Sequence, residues 1–372
     1  MTEKEQALIE RAKAVIVGNI ESGDQYVWKQ KRLIVPSRGP YLGAWNWDSA
    51  FHANTVSRWD PELAYEQIEV FLDQQCEDGK FPDSIWGWDN TVFTCITKPP
   101  VFPWAFVRVY QRKPDQKRLE RAYGAYVKNE HFWTTLRKEG DLFHYDCDVQ
   151  SENWLKYCKY ETGWDTSPRW DNGCSNIWPV DLNCFMVDFY KALAFMAEAL
   201  HLNDEAAKWL QKGTKLAECI NKTLWNEKQK IYLDYDYEHK QHSTVMSPAC
   251  FMPLFVGIAP AERAEALAKH VSNPDTFYPA IPTVSFNDKA YDPADYWRGP
   301  TWLNTLYFTA KGLYDYGYRE LALQIKEHIL QWCSENEKTI YEYYDSKTGK
   351  GLGAEGFGWS SCFIIELIYE IQ

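Results

Sequence analysis

An all-α fold is predicted, an (α/α)6 barrel in which paired helices close into a ring and the loops able to carry chemistry gather at one end. Three observations predict it. Helical periodicity returns after every loop along the 372 residues, giving about twelve helical segments. These alternate between very apolar segments, suited to burial on both sides, and amphipathic ones, suited to an outer layer. Aromatic loops rich in Gly, Pro, Asp and Asn recur between them, and no repeat of fixed period speaks for a solenoid.

Residues 3–18 place Ala7, Leu8, Ala12, Ala14 and Val15 at helical spacing. A polar link leads to the stretch from Pro40 to His52, where Asp48 stands at the turn from an aromatic loop into a helix and is suited to cap it. Asp60 and Pro61 open the next helix as cap and first-turn proline, with Ala64, Ile68, Phe71 and Leu72 on its apolar face. It ends at Gly79, where a second loop runs to Pro100 and holds Trp86, Trp88 and Lys98-Pro-Pro. Helices over about 101–112 and 115–138 precede a long segment, 139–177, of a length that in a compact chain points to function.

Residues 178–201 are apolar nearly all round, and the helix opened by Asn203-Asp204 carries Leu210, Leu216, Ala217, Ile220 and Leu224 on one face. The segment IYLDYDYEHK alternates as a strand does. Helices near 246–255 and 260–271 lead to a third loop that ends in DYWRGPTW, at Trp302. Two more helices, about 301–316 and 318–335, come before a last loop from Tyr341 to Gly358 and a final helix from Trp359. With no linker or low-complexity stretch to divide it, the chain reads as one domain, 1–372.

A net charge of −12 and a pI near 5.2 exclude a polyanion as the natural partner, because phosphate binding needs Lys and Arg concentrated on one face. The first residues are acidic where a secretory segment would be basic, and no apolar run reaches the ~20 residues that cross a bilayer. A soluble cytoplasmic protein is expected. Ten Cys without a CxxC pair read as buried free thiols, and the eight His show no metal-type spacing, so neither metal nor cofactor is implied. The unusual quantity is aromatic: 16% of residues, with 18 Trp, many of them in polar loops. Flat apolar faces with polar edges are what a sugar ring needs from its site, so a small carbohydrate is the expected partner.

Within the long segment lies ETGWDTSPRWD, residues 161–171, where Asp165 sits between Trp164 and Trp170 in a turn made by Gly163 and Pro168. A carboxyl walled by indoles loses hydration, and its charged form suffers most. Its pKa rises and it can hold a proton near neutral pH, as a general acid must. The same residues also suit an ordinary turn.

The motifs AWNWDSAFHA, TKPPV, ETGWDTSP, YWRGPTW and YEYYDSKTGKGLGAEGFGW follow one another from about residue 40 to the end. In that order the chain resembles the trehalase-like glycoside hydrolases, families 37 and 63, most closely the compact bacterial family 63 type. The resemblance implies an inverting exo-acting α-glycosidase on an (α/α)6 barrel. It assigns the general acid to Asp165 and the general base to Glu342, with Glu355 as the rival base. Asp48 and Trp47 would grip the sugar, and Arg298 would bind a hydroxyl or hold a catalytic carboxylate. Tyr41, just before the first motif, and Trp45, Gly163, Trp164, Trp302 and Trp359, within the motifs, are candidates to line the subsites. Arg169 would lower the pKa of Asp165 if it paired with it, so it is expected to face the substrate or Asp171.

One departure stands out: the pattern carries Gln before the double proline, and this chain has Lys98. The ammonium would either meet a charged substrate or form a salt bridge, since an unpaired buried Lys is costly. The large N-terminal β-domain of many relatives is missing, which implies a shallow aglycone site suited to a disaccharide, a glycosyl-glycerate or another small α-glucoside or α-mannoside. Two other classes share the barrel or its loops: a sugar epimerase, which would need paired His, and a non-catalytic sugar-binding protein, which would not need both carboxylates.

Overall fold

The computed structural model describes residues 1–149 and 151–372. It holds thirteen α-helices among the described residues, joined by short antiparallel strand pairs. The helices divide between two compact units. One comprises Asn19–Asp165 and Leu182–Ile220; the other comprises Met1–Gly18, Thr166–Asp181 and Asn221–Gln372. They are called here the Asp165 unit and the Glu342 unit.

In the Asp165 unit the helix Asn46–Val56 is buried along its whole length and packs against Pro61–Leu72 and Phe102–Arg112. It begins earlier than the sequence predicts, so Asp48 lies in its first turn rather than at its cap; Trp45 occupies the cap position in extended conformation. The next helix follows the prediction, with Asp60 accepting from the Leu63 amide and Pro61 in the first turn. Gln67 is fully buried and keeps its polar atoms paired: its amide donates to the Arg32 and Leu63 carbonyls and accepts from Ile34 N–H. The second loop is partly sheet. Strands Gly43–Trp45, Ser84–Trp86 and Val92–Phe93 pair antiparallel, with Trp45 opposite Ser84 and Ser84 opposite Phe93. The long segment likewise carries elements of its own, among them the strand Leu142–Phe143 and the helix Trp154–Glu161.

In the Glu342 unit the helix Leu303–Asp315 is buried over most of its length and packs against Arg319–Glu335, Gly358–Glu370 and the short helix Met252–Phe255. The outer helix Arg319–Glu335 buries one face only, through Ala322, Ile325, Ile329, Leu330 and Cys333. Gly312 lets two helices touch: a Cβ there would stand 2.7 Å from the Phe255 nitrogen. The last loop is a β-hairpin, Tyr341–Tyr344 paired with Gly351–Glu355, whose register shifts between Tyr341 and Tyr343. Each large aromatic side chain buried in these cores contributes roughly 1.5–3 kcal/mol of transfer free energy.

The ten cysteines are free thiols, and seven of them are buried. Among the described residues no helix is long and apolar enough to cross a membrane.

Candidate active site

The Asp165 unit gathers Tyr41, Trp45, Trp47, Asp48, Lys98, Gly163, Trp164 and Asp165. Its centre is the turn before Asp165. Gly163 adopts φ +77°, and a Cβ at that position would lie 2.4 Å from the Trp47 ring, so only glycine lets the indole lie against the turn. Trp164 is buried, with its amide bonded to the Thr162 hydroxyl at 2.9 Å.

Glu161 fixes this turn from behind. Its carboxylate has no exposed surface and accepts from the Thr97 amide at 3.1 Å, the Asp146 amide at 2.6 Å and the Arg137 guanidinium at 3.0 Å. One buried carboxylate therefore ties the loop carrying Lys98 to the segment carrying Asp165. Arg137 is itself completed by Asp148, at 2.6 Å.

Asp165 keeps a part-exposed side chain in otherwise dense surroundings. Burial pushes its carboxyl up from 3.8 to about 6; the Lys98 ammonium pulls it back and the Asp83 charge adds to the rise. Lys98 makes a salt bridge, as an unpaired buried ammonium would be costly. Its Nζ stands 3.0 Å from Asp83 Oδ1, with both side chains about nine-tenths buried, and it also donates to the Tyr160 carbonyl. Asp48 is buried on the Asn46–Val56 helix and acts on Lys98 by charge. Tyr41 meets Trp45 edge to face at 5.4 Å, and Trp45 lies 6.2 Å from Trp88, which is 53% exposed.

A second carboxyl, Asp188 on the helix Val180–Ala199, is also pushed by burial to about 6, against the pull of Lys191 and Arg108. It lies outside every motif, and a raised proton affinity without a site around it assigns no function.

The Glu342 unit gathers Arg169, Arg298, Trp302, Glu342, Glu355 and Trp359. Glu342 sits at the irregularity of the hairpin, where an extra residue re-aims a side chain. Its carboxylate accepts from the Ala354 amide at 2.8 Å and from the Tyr296 hydroxyl at 3.2 Å. Gly353 makes this possible: it adopts φ +74°, and a Cβ there would stand 2.5 Å from Glu342 Oε2. Tyr296, which sequence reasoning passed over, adopts φ +31°, an uncommon conformation for a non-glycine residue. Its signal was its place in YWRGPTW, two residues before Arg298.

Several candidates stand otherwise than expected. Arg169 is committed within the chain rather than open to a substrate: it forms a buried double ion pair with Asp181 at 2.8 Å and Asp234 at 2.7 Å. Two carboxylates are thus matched to one guanidinium. Arg298 takes Asp171 instead, through both terminal nitrogens, at 3.1 and 2.8 Å, and also holds the Thr166 carbonyl at 2.9 Å. It thus grips the residue after Asp165, rather than a catalytic carboxylate. Trp302 has no exposed surface; it lies between Trp297, at 4.0 Å, and Tyr343, at 4.7 Å, in a parallel stack. Trp359 packs against its edge at 5.4 Å. Glu355 is half exposed at the end of the hairpin and pairs with Lys338, so the rival base faces water with a cation on it.

The sequence pattern of the family described as "Mannosylglycerate hydrolase MGH1-like glycoside hydrolase domain" matches residues 41–360. A mannosylglycerate hydrolase of Thermus thermophilus is 25% identical over 407 residues, covering 89% of this chain and 95% of that one. The mannosylglycerate hydrolase of Rubrobacter radiotolerans is 24% identical, covering 89% and 91%. A periplasmic trehalase of Escherichia coli is 30% identical over 230 residues, covering 56% of this chain and 39% of that one. Among solved structures, a family 63 mannosylglycerate hydrolase from Thermus thermophilus in complex with glucose superposes with a TM-score of 0.80 at 24% identity, over 96% of this chain and 99% of that one. The neutral trehalase of Saccharomyces cerevisiae gives 0.75 at 16% identity, over 92% and 74%. These neighbours are (α/α)6-barrel enzymes, and the fold is the barrel that the alternation of helices predicts.

Proposed function

The chain belongs to the mannosylglycerate hydrolase MGH1-like glycoside hydrolase domain family, and on that premise we propose that it is an inverting exo-acting α-glycosidase with Asp165 as general acid and Glu342 as general base. The observation that carries the reading is the carboxyl of Asp165, raised by burial to about 6 inside ETGWDTSP. An acid of that strength holds a proton at mildly acidic pH and can release it to a glycosidic oxygen.

In this reading the glycosidic bond breaks as Asp165 transfers its proton to the leaving oxygen. Glu342 takes a proton from the water that attacks the opposite face of the anomeric carbon. The products are a free β-sugar and the alcohol of the aglycone, and the two carboxyl groups exchange protons with solvent to reset. Such a reaction works with the carboxyl groups roughly 6.5–9.5 Å apart. The Ala354 amide and Tyr296 hydroxyl support the role of Glu342, since two donors directed at its carboxylate hold it in one orientation.

The substrate is a small α-mannoside or α-glucoside. A glycosyl-glycerate is one candidate, from the names of the relatives. A neutral disaccharide is the other, because Lys98, Arg169 and Arg298 are each matched by a carboxylate of the chain itself. The exposed Trp88 beside Trp45 offers a flat face to a neutral aglycone.

The test is hydrolysis of a panel of α-mannosyl-glycerate, α-glucosyl-glycerate, trehalose and α-linked mannobiose by the wild type, Asp165→Asn and Glu342→Gln. Cleavage of at least one substrate, lost by about 10²–10⁴-fold in each variant, supports the roles. Hydrolysis that survives either substitution, or none by the wild type, overturns them.

A further inference from the structure

Lys98 occupies the position at which the trehalase-like pattern has a neutral Gln, and its ammonium donates to the Tyr160 carbonyl, in the last turn of the helix Trp154–Glu161 that leads into the Asp165 turn. The charges around it are arranged. Asp83 lies within hydrogen-bond distance of Nζ and is itself fixed on the sheet: its backbone N–H donates to the Phe93 carbonyl at 2.9 Å, its carbonyl accepts from Asn46 N–H at 2.9 Å, and its Oδ2 accepts from the Ser84 hydroxyl at 2.9 Å. The Tyr160 carbonyl takes a second donor of Lys98. From the Asn46–Val56 helix, Asp48 adds its charge to that of Asp83 around the ammonium.

We propose that Lys98 and Asp83 act as a charge-balancing pair that positions the proton of Asp165, with Asp83 preventing the neighbouring ammonium from ionising the acid. The inference rests on the reading of Asp165 as general acid. Its logic is electrostatic. An unpaired ammonium near a carboxyl favours the carboxylate and would empty the acid of its proton at working pH, whereas a Gln would not. A chain with Lys at this place therefore needs a fixed carboxylate paired with the ammonium, and Asp83 supplies it. The fields of the two at Asp165 oppose each other, Lys98 pulling the acid down and Asp83 pushing it up, after burial as the larger cause of its rise. Both are positioning residues that act through Asp165.

The test is the alkaline limb of the pH profile of kcat/KM, measured for wild type, Lys98→Gln, Asp83→Asn and the double variant on whichever α-glycoside the wild type hydrolyses. Lys98→Gln should move the limb up and Asp83→Asn should move it down, each by about one pH unit, the low end of what one neighbouring charge does to a carboxyl. The double variant, a neutral pair of similar shape, should return the limb to near the wild-type position. Should Asp83→Asn fail to fold, Lys98→Gln and the double variant still carry the comparison. Limbs that coincide in all variants, or singles that move it the same way, overturn the proposal while Asp165 keeps its role. Hydrolysis retained by Asp165→Asn overturns the reading of the acid itself, and the proposal with it.

Discussion

Replacing Asp165 with Asn should stabilise the protein while removing its activity, and the gain should depend on pH in a direction fixed by the burial of the carboxyl. In the folded state the group holds its proton up to about 6, against an ordinary value of 3.8. Between those values the folded chain binds more protons than the unfolded chain, so stability falls as pH rises through the window. At about 1.4 kcal/mol per pH unit the full loss is at most about 3 kcal/mol. The side chain is part-exposed, and solvent screening lowers the expectation to about 1–3 kcal/mol. Asn carries no charge and escapes the loss. Urea unfolding of wild type and Asp165→Asn at pH 4 and pH 8 measures it: the two should differ little at pH 4, and the variant should be more stable by that amount at pH 8. A gain of equal size at both pH values would refute the reasoning, and so would a variant less stable at pH 8.

Gly353→Ala should lower kcat with little change in KM, because a left-handed backbone and a Cβ 2.5 Å from Glu342 Oε2 push the carboxylate off its aim; steady-state kinetics decides it. Tyr296→Phe should lower kcat by roughly tenfold, the value of about 1.5 kcal/mol for a hydrogen bond to a charged group, as steady-state kinetics measures it. Glu161→Gln should cost about 3–5 kcal/mol in urea unfolding, since it removes a fully buried charge from Arg137, less whatever Asp148 retains. Trp88→Ala should raise KM for a neutral disaccharide, by roughly fivefold for about 1 kcal/mol of ring contact, and leave kcat unchanged.

Local periodicity made most helices legible. Asp60-Pro61 marked a helix start because cap and first-turn proline are physical requirements of the first turn, and the structure uses both. The start at Asn46 was missed because Trp45, a poor cap by type, ends the preceding strand in extended conformation and no polar cap announces the turn. The hairpin of Glu342 was read as a loop, since YEYY is short and its partner strand is rich in Gly, with an irregular register at the residue that matters. Charge pairing was the least legible link. That Lys98 would need a carboxylate followed from the cost of burying an ammonium, but Asp83 as the partner depends on how the sheet aligns. The match of Arg169 with Asp181 and Asp234 joins residues distant along the chain, and nothing local to PRWD distinguishes it from a substrate-facing arginine.

With Asp165 as the acid and Glu342 as the base, an α-glycoside is hydrolysed in a single displacement by water. Proton NMR of the first turnovers on a cleaved α-glycoside tests it most directly. The β-anomer of the released sugar should appear first, with the α-anomer growing in only by mutarotation. Release of the α-anomer first would contradict the account.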